Sequence, residues 1–179
     1  LTLLTFFIGV SYMGATIKIP TLLIEKYFYH PATVTNLLTV LAISGIFSGL
    51  LFGFLVKRAK NLTLTIMLSF MTLGSMIFSF SNNIVLFILG VVLIGISFVG
   101  AMSFNFFYVS NKLENKFINF STSIMLVGGN IGVILTPIIL TKLPEALHLE
   151  KFLTPFYVTT LAMLICTVIS YFSLKDNNN

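Results

Sequence analysis

The sequence predicts an all-α membrane fold of six transmembrane helices, and three observations predict it. Charged residues supply only 8% of the chain, where a soluble domain has about 25%. Hydrophobic residues supply 57%, with a mean hydropathy of +1.05. The apolar residues are gathered into six unbroken runs rather than alternating with polar ones. A soluble domain needs a polar coat that this composition cannot supply, so the lipid bilayer must be its principal partner.

The first run, Thr2–Ile24, carries Pro20 and a single charge, Lys18, before the polar Glu25-Lys26 pair stops it. The second, Thr33–Val56, follows Pro31 and ends on Lys57 and Arg58. The third, Leu62–Ser81, runs up to Asn82-Asn83, and the fourth, Ile84–Phe107, is the most apolar stretch of the chain. Phe120–Leu140 forms the fifth, interrupted at Pro137, and Phe152–Leu174 the sixth. Each is long enough for the roughly 20 helical residues that cross about 30 Å of hydrocarbon. A transmembrane β-barrel would show alternation in strands of about ten residues instead. The whole of 1–179 reads as one helical domain.

Charge sorts the connections into two faces. One face carries Lys57, Arg58 and Lys60, then Lys112 and Lys116 with Glu114, then Lys175 with Asp176. The other carries Glu25, Lys26, Lys142, Glu145, Glu150 and Lys151, with the uncharged Asn82-Asn83 turn between them. The first face holds twice as many basic residues as the second, which places it in the cytoplasm. Both ends of the chain are then expected on the cytoplasmic side of the cell membrane. Leu1 lies inside an apolar run with no basic leader before it, so the chain reads as a piece of a longer protein.

Inside lipid, helices associate by close backbone approach, which needs small residues four apart. The second span offers Gly45, Gly49 and Gly53 with Ser44 and Ser48 beside them; the fifth offers Gly128 and Gly132. These glycines are expected either to pack the bundle or to form a sliding contact with another six-helix unit. The two spans occupy the second place in each set of three and cross the membrane in opposite senses. Two three-helix units related by inverted topology have this arrangement.

Polar side chains at helical spacing mark candidate cavity-lining faces. They are Tyr12 and Thr16 on the first span, Asn105 on the fourth and Asn130 on the fifth; for the two asparagines plain interhelical hydrogen bonding is the other reading. Lys18 is the one charge well inside a span. It either snorkels to the interface or presents a cation to a substrate or to an acidic residue elsewhere in the protein. Pro137 removes one helical hydrogen bond and is expected to bend the fifth span. All five acidic residues lie in connections or the tail, so a membrane-embedded carboxylate for a coupling proton would have to come from elsewhere in the protein.

Several function classes are excluded. Cys166 is the single cysteine, and His30 and His148 stand far apart. No metal motif or cofactor site is expected, and no intramembrane nucleophile–base pair that would make an enzyme. The basic residues are split among short turns and form no stripe for nucleic acid.

The segment from Gly53 to Lys60, GFLVKRAK, resembles the G-x-L-x-D-R-x-G-R/K loop of the major facilitator superfamily in its second-half copy. Gly53, Leu55 and Arg58 agree, Lys57 stands at the acidic position, and Lys60 stands at the second glycine. Gly128-Gly129-Asn130-Ile131-Gly132 through Thr136-Pro137 resembles the Gly-rich eleventh helix of such proteins. The resemblance implies the C-terminal half of a twelve-helix secondary active transporter. Its N-terminal six-helix half would be the principal protein partner, and a small-molecule substrate would cross by alternating access. It also implies that the first, second, fourth and fifth spans face the cavity or the other half, where both glycine faces would meet it. The competing classes are the membrane domain of an ATP-driven transporter, which needs longer cytoplasmic coupling loops, and a non-transporting membrane scaffold.

Overall fold

The structure, a computed structural model, describes residues 1–175; Asp176 of the tail lies outside the described residues. Helix α1 spans Thr2–Thr21, α2 Pro31–Ala59, α3 Leu62–Phe80, α4 Ile84–Lys112 and α5 Asn115–Pro137. A short α6, Leu143–Ala146, precedes α7, Thr154–Lys175. Among the described residues, six helical stretches are long and apolar enough to cross a membrane.

Local chemistry starts these helices. Pro31 takes the first turn of α2, where its missing N–H costs nothing, and His30 Nδ1 accepts the Ala32 N–H. The Asn83 side chain accepts the Val85 N–H at 2.8 Å and caps α4. Several helices outrun their apolar stretches. α2 occupies Pro31–Ala59 where hydropathy marks Thr33–Val56; α4 continues to Lys112 rather than Phe107, and α5 begins at Asn115 rather than Phe120. Apolar composition marks only the length inside hydrocarbon, and i→i−4 hydrogen bonding continues beyond it into the interface. The fifth and sixth stretches also end differently. α5 stops at Pro137 and passes into a wide turn at Ile138–Lys142, and α7 begins at Thr154 rather than Phe152.

Two parallel helix pairs organise the bundle, α1 with α5 and α2 with α4. In the first pair Gly128 faces Thr2, Gly132 faces Phe6, and Gly14 faces Thr136 and Leu140, so residue numbers rise together along both helices. An added Cβ at Gly9 would lie 2.8 Å from the Gly129 carbonyl oxygen, and one at Gly128 2.9 Å from that of Thr2. The second pair repeats the device: Gly95 meets Ser44 and the Leu41 backbone, and Gly45 meets Val99. Ser48 Oγ donates to the Ile96 carbonyl at 2.7 Å. Each pair joins the first helix of one three-helix unit to the second helix of the other, and the two pairs run in opposite directions. That reciprocity is the inverted arrangement.

Helix α3 lies antiparallel to both α4 and α7. Gly74 and Gly90 bring α3 against α4, with Phe78 stacked on Phe87 at 5.1 Å between ring centres. Hydroxyls bridge α3 to α7, Thr72 to Thr167 at 3.3 Å and Thr65 to Ser170 at 3.2 Å.

The glycines divide into two groups. Gly128 and Gly132 are buried against α1, and Gly45 against α4. Their missing side chains are what lets the paired backbones touch, which is the bundle-packing role expected of them. Gly49 and Gly53 are exposed, and nothing lies within 4 Å of a Cβ added at Gly53. Gly132→Val is therefore expected to cost about 1–3 kcal/mol of stability through overpacking. Gly53→Ala should be neutral or stabilising by up to about 1 kcal/mol through helix propensity. Unfolding titrations in mixed micelles would measure both.

Candidate functional site

A helix that loses a backbone donor must find another hydrogen-bond pattern, and this happens at the C-terminal ends of α1 and α5. Pro20 lies in the last turn of α1, and Leu22–Lys26 winds as a wide π-type turn closed by the Tyr27 N–H on the Leu22 carbonyl at 3.2 Å. Pro137 ends α5 and is followed by the wide turn Ile138–Lys142. Such turns collect at functional positions. Here they bring Lys18, Thr21 and Glu25 of one helix to Leu140 and Thr141 of the other. The result is a cavity of about 290 Å³ that Glu145 and Lys151 also line.

Lys18 is 8% exposed. Among the described residues it has no hydrogen-bond or ion-pair partner. Glu145, Lys151 and Glu25 are the charges that act on it. The Lys18 side chain lines the cavity at this end of the bundle.

Around the mouth two Glu-Lys pairs interlock. Lys26 reaches Glu150 at 3.0 Å, and Lys151 reaches Glu25 at 2.9 Å. Tyr27 Oη donates to Asn82 Oδ1 at 2.5 Å. The connections after α1, after α3 and before α7 therefore meet at one end of the bundle, as an up-and-down path of six crossings demands. Burial pushes the Glu150 carboxyl up. The Leu153 N–H, the hydrogen bond and charge of Lys26, and the Thr154 N–H outweigh burial and hold it below its ordinary range.

The remaining polar residues fall into two groups. Asn105 is fully buried and donates from Nδ2 to Thr5 Oγ1 at 3.2 Å, tying α4 to α1; its Oδ1 has no protein partner. Tyr12 stacks on Phe98 of α4 at 3.8 Å between ring centres, and Thr16 Oγ1 donates to the Met13 carbonyl at 2.8 Å. Asn130 is exposed midway along α5, on the face away from Gly128 and Gly132. The structure thus brings Lys18 to a cavity, joins Tyr12 and Asn105 to the α1–α4 contact, and leaves Asn130 on an open face. Sequence reasoning did not single out Thr21, Thr141 and Glu145 as partners of the Lys18 site, nor the interlocked charges. The one available signal was the Glu-Lys dipeptide repeated in two connections of the same face, at residues 25–26 and 150–151.

At the opposite end Lys57 and Arg58 are exposed in the last turn of α2. Lys60 closes that helix with φ 47° and ψ −125°, a conformation that glycine adopts without a steric penalty. A glycine at this place in the resembling loop motif has the same physical reason.

A family model described as Major Facilitator Superfamily matches residues 1–178. Comparison with curated proteins gives no match.

Lys60→Gly is expected to raise stability by about 1 kcal/mol by removing that backbone strain, read as a higher melting temperature in detergent. For Glu150 the folded carboxyl titrates below the unfolded one. Its stabilisation is complete above the ordinary value of 4.5 and is lost as pH falls through the folded value. The melting-temperature gap between wild type and Glu150→Gln should be widest near neutrality and close as the pH drops below 4.5.

Proposed function

The chain belongs to the major facilitator superfamily, and from that premise we propose that it is the C-terminal half of a secondary active transporter for a small organic solute. Members of this family are transporters, so the general activity follows from membership; the half assignment, the solute and the cycle are our reading. The observation that carries it is the reciprocal pairing of α1 with α5 and α2 with α4. A six-helix unit built from two inverted threes is the half-transporter plan, in which such units rock about a site near the midplane.

In this reading the N-terminal half covers the exposed apolar faces of α2 and α5, where Phe47, Leu50, Leu51 and Phe54 stand outward beside Gly49 and Gly53, and Ile134 and Asn130 beside one another on α5. Exposed glycines let two helical faces slide without interlocking side chains. The glycines buried in α1–α5 and α2–α4 hold each pair rigid, so the half moves as a body. Both chain ends lie in the cytoplasm, and the membrane is the plasma membrane. A proton gradient supplies the driving force through a carboxylate in the other half, since the acids of this chain lie outside the hydrocarbon.

The short connections weigh against an ATP-driven membrane domain, which needs a coupling surface for its motor. Vesicles containing the full-length protein should accumulate radiolabelled organic solute when a proton gradient is imposed, and lose it on adding a protonophore. Uptake that follows ATP and ignores the gradient would refute the proposal.

A further inference from the structure

Lys18 lines the cavity, where its ammonium group is open to water or to a ligand. Among the described residues no protein group pairs with Lys18 there. Of its charged neighbours, Glu25 and Lys151 neutralise one another at 2.9 Å, while Glu145 forms no ion pair with any described residue. Thr21 Oγ1 donates to the Ile17 carbonyl at 3.2 Å, which leaves its oxygen free to accept. Thr141 stands across the cavity on the wide turn of α5. Ile17, Leu140 and Pro144 complete an apolar wall. One side therefore offers an unpaired cation with hydroxyls beside it, and the other offers aliphatic surface.

We infer that this cavity is a binding site for a small amphipathic carboxylate, with its carboxylate on Lys18 and its apolar body against Ile17, Leu140 and Pro144. A lysine binds a carboxylate as a point charge carrying three donors. When the site is empty, Glu145 is the counter-charge at the rim, and the ligand takes its place. The two wide turns make the site: a regular helix at either Pro20 or Pro137 would change the register of Thr21 or of Thr141 against Lys18. The assignment rests on the transport reading for its role in uptake, where it would name organic anions as the substrate class. Binding itself can be tested without that reading.

The test uses full-length protein in detergent micelles and equilibrium dialysis against radiolabelled benzoate, with benzamide and benzylamine as uncharged and cationic counterparts of the same shape. Benzoate should bind saturably and resist competition by the other two. Lys18→Gln should weaken it at least tenfold, Lys18→Arg should retain it, and Glu145→Gln should strengthen it severalfold. Thr141→Val, which keeps the volume and removes the hydroxyl, should weaken it severalfold and guards against misfolding of the lysine variant. Equal competition by benzamide, undiminished binding in Lys18→Gln and Thr141→Val, weaker binding in Glu145→Gln, or no benzoate binding by wild type would each overturn the site. Gradient-driven uptake that keeps wild-type kinetics in Lys18→Gln would remove the site from transport and leave the transporter reading standing. ATP-driven uptake would remove that reading and leave benzoate binding intact.

Discussion

Backbone contact between parallel helices is the constraint from which the rest of this bundle follows. Lipid tails are as apolar as leucine, so burying a leucine between two membrane helices gains little. Dispersion at close range and carbonyl-facing contacts must hold the helices instead, and both require residues without bulk. Gly9, Gly128, Gly129 and Gly132 supply this between α1 and α5; Gly45 and Gly95, with Ser44 and Ser48, supply it between α2 and α4. The two seams use the same chemistry in opposite directions. Helix α3 then closes the structure through Gly74 and a ladder of hydroxyls to α7.

The mouth of the cavity obeys a different rule, because there α1 and α5 end in wide turns. Proline at position 20 and again at 137 deprives each helix of one donor, and both chains respond by winding wider. Wider turns displace side chains from the regular face, which brings Thr21 and Thr141 to a common cavity with Lys18. The interlocked Lys26–Glu150 and Glu25–Lys151 pairs are partly exposed, so each contributes modestly and is screened by salt. Their value is geometric: they join the end of α1 to the start of α7, beside the cavity. Among the described residues the buried charge and the strained backbone positions lie at the ends of the bundle: Lys18, Phe28 and His148 at one, and Lys60 at the other.

How much of this was legible from residues alone depends on the range of the interaction. Transfer from water to lipid acts on each segment by itself, so composition and run length were enough for the all-helical class, the six crossings and the two charge faces. The glycine positions announced that close approach would occur. They could not announce the partner, because Gly128 and Gly132 would serve a neighbour within this bundle or one outside it equally well. The structure seats them on α1.

The same division holds for the site. Lys18 was visible as a lone charge within a span, and the two prolines as interruptions, since each is a property of one helix. The cavity they build joins residues more than a hundred positions apart, and its walls come from turns whose width depends on which carbonyls the prolines leave free. Only the packed structure decides such things. A segment's preference for lipid is additive along the chain, whereas the meeting of Lys18, Thr141 and Glu145 is a property of how three segments share one space.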